Sequence, residues 1–312
     1  MRDKGKNFIS AVIYVHNAEK RIDSFLKMII KVLEENFEHS EIICVNDNST
    51  DDSLGVIKKA GRLSETASIS IVNMSYFHGL EAAMNAGVDL AIGDFVFEFD
   101  KTMIDFGKEE IMQVYYRTLE GYDIVSAVPN QKERFGSKLF YKIFNRFTGN
   151  LYQMRTESFR ILSRRVINRI SSMNRTVPYR KAAYAGSGLK TGMVVYEPDR
   201  KTIQRQDKKE KGYRFGLAVD SLLLFTELGY RFSVMMTVLM VIISAFMIVY
   251  SLVIFVTANP VAGWTTTILF LSVAFFGLFG ILTVVIKYLQ LIINLLLKRK
   301  HYSFSEIEKL TK

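Results

Sequence analysis

Phe8-Ile9-Ser10-Ala11-Val12-Ile13-Tyr14-Val15-His16-Asn17 is a short run of β-branched and aromatic residues that stops at a polar pair. An apolar run of that length, ended by turn chemistry, reads as a buried strand. Glu41–Val45, Ser68–Val72 and Phe95–Phe99 repeat the plan, and the stretches 18–35, 51–62 and 79–92 between them carry helical spacing. A β-α-β-α-β-α-β order predicts an α/β domain with a mostly parallel sheet covered on both faces. Ligands of such sheets sit outside the carboxyl ends of the strands. Those positions hold His16-Asn17, Asn46-Asp47-Asn48-Ser49-Thr50-Asp51, Ser75–Gly79 and Asp100-Lys101-Thr102. Asn48-Ser49-Thr50-Asp51 alone is a turn and helix cap. Together, a carboxylate after the second strand, able to accept from a base or ribose, and one after the fourth, able to hold a divalent ion against a diphosphate, point to a nucleotide.

The rest of the chain sets the surroundings of that domain. Of 312 residues, 49% are hydrophobic and one is cysteine, Cys44, which excludes a disulfide framework and a cysteine-rich zinc module. The four histidines, His16, His39, His78 and His301, lack metal-ligand spacing, and no phosphate-binding Gly-x-x-x-x-Gly-Lys loop occurs. Phe232–Ile286 contains no Asp, Glu, Lys or Arg and is broken at Ala258–Trp264, so two transmembrane helices are expected, at 232–257 and 265–286. Basic residues flank both, from Arg200 to Arg231 and from Lys287 to Lys300, which predicts cytoplasmic termini. No cleavable signal is expected at the start. The net charge of +10 is concentrated between residues 130 and 180, where twelve Lys or Arg meet two acids. Phe135–Leu151 has the spacing of an amphipathic helix with basic edges, suited to anionic headgroups. A basic patch just ahead of two spans has a membrane as its nearer partner, so nucleic acid is not expected.

Four segments in series carry a resemblance: Ser10–Glu19, Val45–Ser53, Gly79–Gly87 and Gly93–Asp100. In order and spacing they resemble the family 2 glycosyltransferases of GT-A fold, a Rossmann-like architecture. Ser158–Arg165, the basic approach to Tyr213, the two spans and Lys298–Tyr302 resemble the polyprenyl-phosphate branch, relatives of dolichyl-phosphate mannose synthase.

The resemblance implies roles by position. Asp47 matches the carboxylate that recognises the nucleobase, with Tyr14, Val15, Asn17, Glu19 and Gly79 lining the same donor pocket. Asp100 matches the first carboxylate of an Asp-x-Asp motif for Mg or Mn, and with Lys101 and Arg160 makes up the expected catalytic set. Arg160, Arg164, Arg205 and Tyr213 match positions near the diphosphate or the acceptor phosphate. Thr102 stands where the second metal carboxylate belongs, Ile104 where a Gln belongs, and Ser158 where an acid belongs. Asp105 is then the candidate second metal ligand, or Lys101 a fixed cation in place of the ion.

The implied organisation is a cytoplasmic GT-A domain at 1–200, a juxtamembrane amphipathic segment at 201–231, a transmembrane hairpin at 232–297 and a basic tail at 298–312. The implied enzyme sits in the inner membrane and moves a sugar, with inversion, from a nucleotide sugar (UDP preferred over GDP) to polyprenyl phosphate. Membrane lipids and a second copy of the chain are possible further partners, Gly263, Gly277 and Gly280 being suited to close helix packing. The alternatives are a glycosyltransferase with another lipid-linked or hydroxyl acceptor, or a non-catalytic membrane scaffold.

Overall fold

In the computed structural model the chain is described at residues 4–131, 155–172, 179–199, 263–297 and 302–310, with scattered positions at 137–145 and 232–246. Residues 1–217 and 300–312 form one compact unit and 218–299 another. In the first, β1 (Ile9–Val15), α1 (Glu19–Asn36), β2 (Ser40–Asn46), α2 (Ser53–Gly61), β3 (Ser68–Met74), α3 (Leu80–Leu90) and β4 (Phe95–Phe99) alternate as their periodicities require. Beyond them come α4 (Lys108–Leu119), β5 (Ile124–Pro129), β6 (Phe159–Ser163), α5 (Arg164–Ser172), α6 (Arg180–Gly186), β7 (Thr191–Tyr196) and β8 (Phe304–Lys309).

The eight strands form one sheet in the order β7-β5-β6-β4-β1-β2-β3-β8. Its centre, β4-β1-β2-β3, is parallel, whereas β6 runs antiparallel to both β4 and β5, and β8 antiparallel to β3. The expected mostly parallel sheet is therefore a mixed one. β1, β2 and β4 are buried on both faces, which explains their largely apolar sequences, whereas β3 leaves Ser68, Ser70 and Asn73 half-buried.

Alternation along β4 separates the two faces. Phe97 and Phe99 pack with Phe25 and Ile29 of α1 and with Ile111 and Val114 of α4, while Val96 joins Ala83 and Met84 of α3 and Val166 of α5. Gly87 lets α3 settle onto the sheet, because a Cβ there would lie 2.4 Å from Val12 Cγ1 and 2.6 Å from Val45 Cγ2.

The tail expected at 298–312 is instead in part a strand. β8 covers the outer edge of β3, Lys58 pairs with Glu308 at 2.7 Å, and the Leu310 amide donates to the Ile69 carbonyl. The physical reason is the open row of β3 backbone groups, which an edge strand satisfies.

In the second unit, α7 (Gly263–Leu297) is a 35-residue helix whose one charged residue is Lys287. Among the described residues no helix is long and apolar enough to cross a membrane; many side chains of α7, and most of 232–257, lie outside them. Most of Phe135–Leu151 and all of 200–231, with Arg205 and Tyr213, also lie outside the described residues.

Candidate active site

The loops at the carboxyl ends of β1 and β2 are tied to each other. Asn17 and Asn48 adopt left-handed backbone conformations (φ 48° and 50°), which asparagine tolerates better than most residues. Asn17 Oδ1 accepts from the Thr50 amide at 2.8 Å, the Asn17 amide donates to Ser49 Oγ at 3.1 Å, and the Glu19 amide to Asp51 Oδ2 at 3.0 Å. Burial works against charge on Asp51, but hydrogen bonds from Ser53 and the Glu19 amide outweigh it and lower its pKa. Glu19 Oε2 accepts from the Asp52 amide at 3.4 Å. The side chains of Asn17 and Glu19, expected to line a donor pocket, are thus placed against the neighbouring loop.

Asp47 lies at the centre of this end of the sheet and is fully buried. Its carboxylate accepts from the Tyr14 hydroxyl at 3.0 Å and from the His78 and Gly79 amides at 2.8 Å each. Its own amide donates to the Val15 carbonyl at 2.8 Å. Tyr14, Val15, Asp47 and Gly79 are therefore brought together, with Asp47 covered and fixing the 78–79 backbone. Gly79 has φ 83°, a conformation that favours glycine. Tyr76 and Phe77 are exposed at the rim: Phe77 lies 4.7 Å from His16, and Tyr76 stacks at 3.9 Å on the covered ring of His78.

Beyond β4 the sheet carries a buried ionic clamp. Val96, Glu98 and Asp100 share one face because side chains alternate along a strand. Cross-strand register sets Arg160 of β6 opposite Glu98. The Arg160 guanidinium reaches Glu157 through Nε at 3.0 Å, Glu98 at 3.1 Å and Asp100 at 2.6 Å. Arg180, from α6, mirrors it, reaching Glu81 of α3 at 3.0 Å and Glu98 and Asp100 at 2.7 Å each. Glu98 and Asp100 are thus bridged twice, once by each guanidinium. Tyr184 donates to Glu98 at 2.7 Å, and Lys181 lies 3.8 Å from Glu157. The contact between Arg160 NH1 and Glu98 Oε2 is ionic only, since neither atom has a hydrogen-bond partner of good geometry.

Both arginine side chains are 2% exposed and Asp100 13%. Burial opposes ionisation of Asp100, yet Arg160, Arg180 and Lys181 hold its carboxyl well below the usual carboxylate range. Burial likewise works against charge on Arg160, but Asp100, Glu157 and Glu98 keep it protonated; for Arg180, Glu98, Asp100 and Glu81 do so.

Two expectations are corrected by this geometry. Arg160 is not open to a phosphate, because each of its nitrogens faces a carboxylate. Arg164 lies at the other end of β4: its guanidinium donates to the carbonyls of Gly93 at 2.9 Å and Ala91 at 2.8 Å, since β6 runs antiparallel and four residues carry the chain the length of the strand. Lys101 follows Asp100 directly and is half-buried. Neither Glu98 nor Arg180 stands out in the sequence reading. For Glu98 the signal is a lone Glu in Phe-Val-Phe-Glu-Phe that answers the lone Arg160 in Phe-Arg-Ile-Leu, since charges in two apolar strands need each other; Arg180 has no such signal.

The donor set does not fit the divalent ion that the resemblance implies. Each Asp100 oxygen already accepts from a guanidinium whose fixed positive charge repels a cation, Thr102 is buried and carries no charge, and Asp105 accepts from Ser158 Oγ at 3.1 Å. Ser158 in turn accepts from the Tyr196 hydroxyl at 2.5 Å. Among the described residues no three His, Cys, Asp or Glu side chains are grouped to hold a metal.

Comparison with known proteins places this geometry. Residues 10–101 match the family described as glycosyl transferase family 2. The protein called uncharacterized glycosyltransferase sll0501 from Synechocystis is 29% identical over 229 residues, covering 72% of this chain and 71% of that protein. The prophage bactoprenol glucosyl transferase homolog of Escherichia coli is 27% identical, covering 72% of this chain and 74% of its own length. An undecaprenyl-phosphate 4-deoxy-4-formamido-L-arabinose transferase of Shewanella sediminis is 29% identical over 46% of this chain and 44% of its own. The fold is shared with glucosyl-3-phosphoglycerate synthase from Mycobacterium tuberculosis, solved with phosphoglyceric acid, at a TM-score of 0.51, 14% identity and coverage of 70% and 79%.

Proposed function

We propose, from the premise that this chain is a glycosyltransferase carrying a family 2 domain over residues 10–101, that it transfers a sugar from a nucleotide donor to a polyprenyl phosphate. The donor side rests on the loops that converge at the strand tips around Asp47. The acceptor side rests on one observation: among the described residues, the carboxylates at the β4 and β6 end already have partners. Glu98, Asp100 and Glu157 each face a guanidinium, and Asp105 accepts from Ser158. A hydroxyl acceptor needs a general base within hydrogen-bond reach. A phosphate acceptor does not, because it is an anion at neutral pH.

In the transfer, a phosphate oxygen of the acceptor attacks the anomeric carbon as the bond from that carbon to the diphosphate oxygen breaks. The nucleoside diphosphate leaves with the bonding electrons, no proton changes hands, and inversion follows from attack opposite the leaving group. The names of the Escherichia coli and Shewanella relatives, which specify bactoprenol and undecaprenyl phosphate, support the same acceptor class. UDP is preferred over GDP as the donor's nucleotide.

The lipid acceptor calls for membrane attachment, which the charge-free run Phe232–Ile286 supports. β8 belongs to the same unit as β1–β7. A chain that leaves this unit, enters a bilayer and returns crosses an even number of times, and the basic flanks support a cytoplasmic location for both ends. The reading is tested by measuring nucleoside diphosphate released from UDP- and GDP-sugars with and without undecaprenyl phosphate. Release that depends on the lipid phosphate is expected; equal release with a soluble sugar acceptor would reject the assignment.

A further inference from the structure

We propose that the Arg160–Arg180 clamp stands in place of a divalent ion, so that this chain binds a nucleoside diphosphate without metal, using Lys101 and Lys181 for the diphosphate charge. The inference rests on the nucleotide-sugar reading of the site and goes beyond it. An ion at Asp100 would have to share Oδ1 with Arg180 at 2.7 Å and Oδ2 with Arg160 at 2.6 Å, two fixed cations that repel it. Neither guanidinium is free to swing away. Arg160 is anchored as well by Glu157 and Glu98, and Arg180 by Glu81, Glu98 and a 2.9 Å bond from its own backbone amide to Glu81. The position that would supply the second carboxylate is Thr102, buried and neutral.

The charge balance points the same way. Among the described residues, Glu81, Glu98, Asp100 and Glu157 pair with Arg160, Arg180 and Lys181, which balances the four carboxylates to within one charge without an ion. The two lysines directly follow clamp residues in sequence, Lys101 after Asp100 and Lys181 after Arg180. Lys101 is half-buried and the Lys181 side chain 12% exposed, against 2% for the two arginines. A lysine presents a point charge suited to a phosphate oxygen.

The test uses full-length protein in detergent, with UDP and GDP as probes and Mn2+ followed separately by its electron paramagnetic resonance signal. Nucleotide affinity is expected to agree within about twofold between chelator and excess Mn2+, and to fall about tenfold in Lys101→Gln or Lys181→Gln, the loss of one charge-assisted contact. Free Mn2+ is expected to stay unbound by the wild type. The double variant Thr102→Asp/Arg180→Gln, which frees one Asp100 oxygen and adds a carboxylate, is expected to acquire bound Mn2+. Mn2+ binding by the wild type that disappears in Asp100→Asn overturns the inference, as does nucleotide binding that requires Mn2+; either result leaves the glycosyltransferase reading standing. No nucleotide binding under any condition overturns both. The wild-type measurement needs no variant to fold.

Discussion

At the scale of single residues, the charged groups that matter most are those a solvent-facing survey passes over. Asp100 shows the consequence of pairing a carboxylate twice. Its folded pKa is lowered from an ordinary value of about 3.9. The stability it contributes is therefore complete above that ordinary value and is lost only as pH falls through the lower, folded one. Asp100→Asn is expected to cost about 3 kcal/mol at neutral pH, the scale of breaking one side of a buried ion pair. The gap between variant and wild type in thermal unfolding should hold steady from neutral to mildly acidic pH and close only in strong acid; closure near neutrality would contradict the clamp. Cys44 makes a second case. Burial pushes its thiol up to about 12. It should resist a thiol-reactive dye in the native protein and react at once in denaturant.

At the scale of elements, close packing and edge pairing carry the predictions. Gly87→Ala drives a methyl group into Val12 and Val45, and should destabilise by about 1–3 kcal/mol as an overpacked contact, read from a denaturant midpoint at unchanged slope. Removing residues 302–312 uncovers β3, so hydrogen exchange should accelerate first at those β3 amides that β8 protects. The four strands and three helices up to β4 are legible in sequence because each carries its own period: Phe95–Phe99 matches the strand to the residue, and α1 is displaced by one. β8 is not legible, because its partner lies more than two hundred residues away and Ser-Phe-Ser-Glu-Ile-Glu carries no continuous apolar run. The antiparallel β6 escapes for a related reason. Without its direction, Arg160 and Arg164 look like neighbours at one site, whereas the strand sends them to opposite ends.

At the scale of the whole molecule, the loops at the strand tips, the clamp and the returning β8 belong to one unit, and the charge-free run belongs to the other. The sequence conveys the loops by motif order and the apolar run by composition. It does not convey the clamp, which is assembled from α3, β4, β6 and α6 with no local pattern to announce Arg180. The proposed topology predicts that labels placed at residue 4 and at residue 310 are reached by a membrane-impermeant reagent from the same side of sealed vesicles. Opposite sidedness would exclude an even number of crossings. The most direct measurement incubates purified protein with UDP- and GDP-sugars and undecaprenyl phosphate in chelator, and weighs the lipid by mass spectrometry. A lipid heavier by one glycosyl unit is the predicted result; unchanged lipid with every donor, in chelator and in Mn2+ alike, would contradict the account.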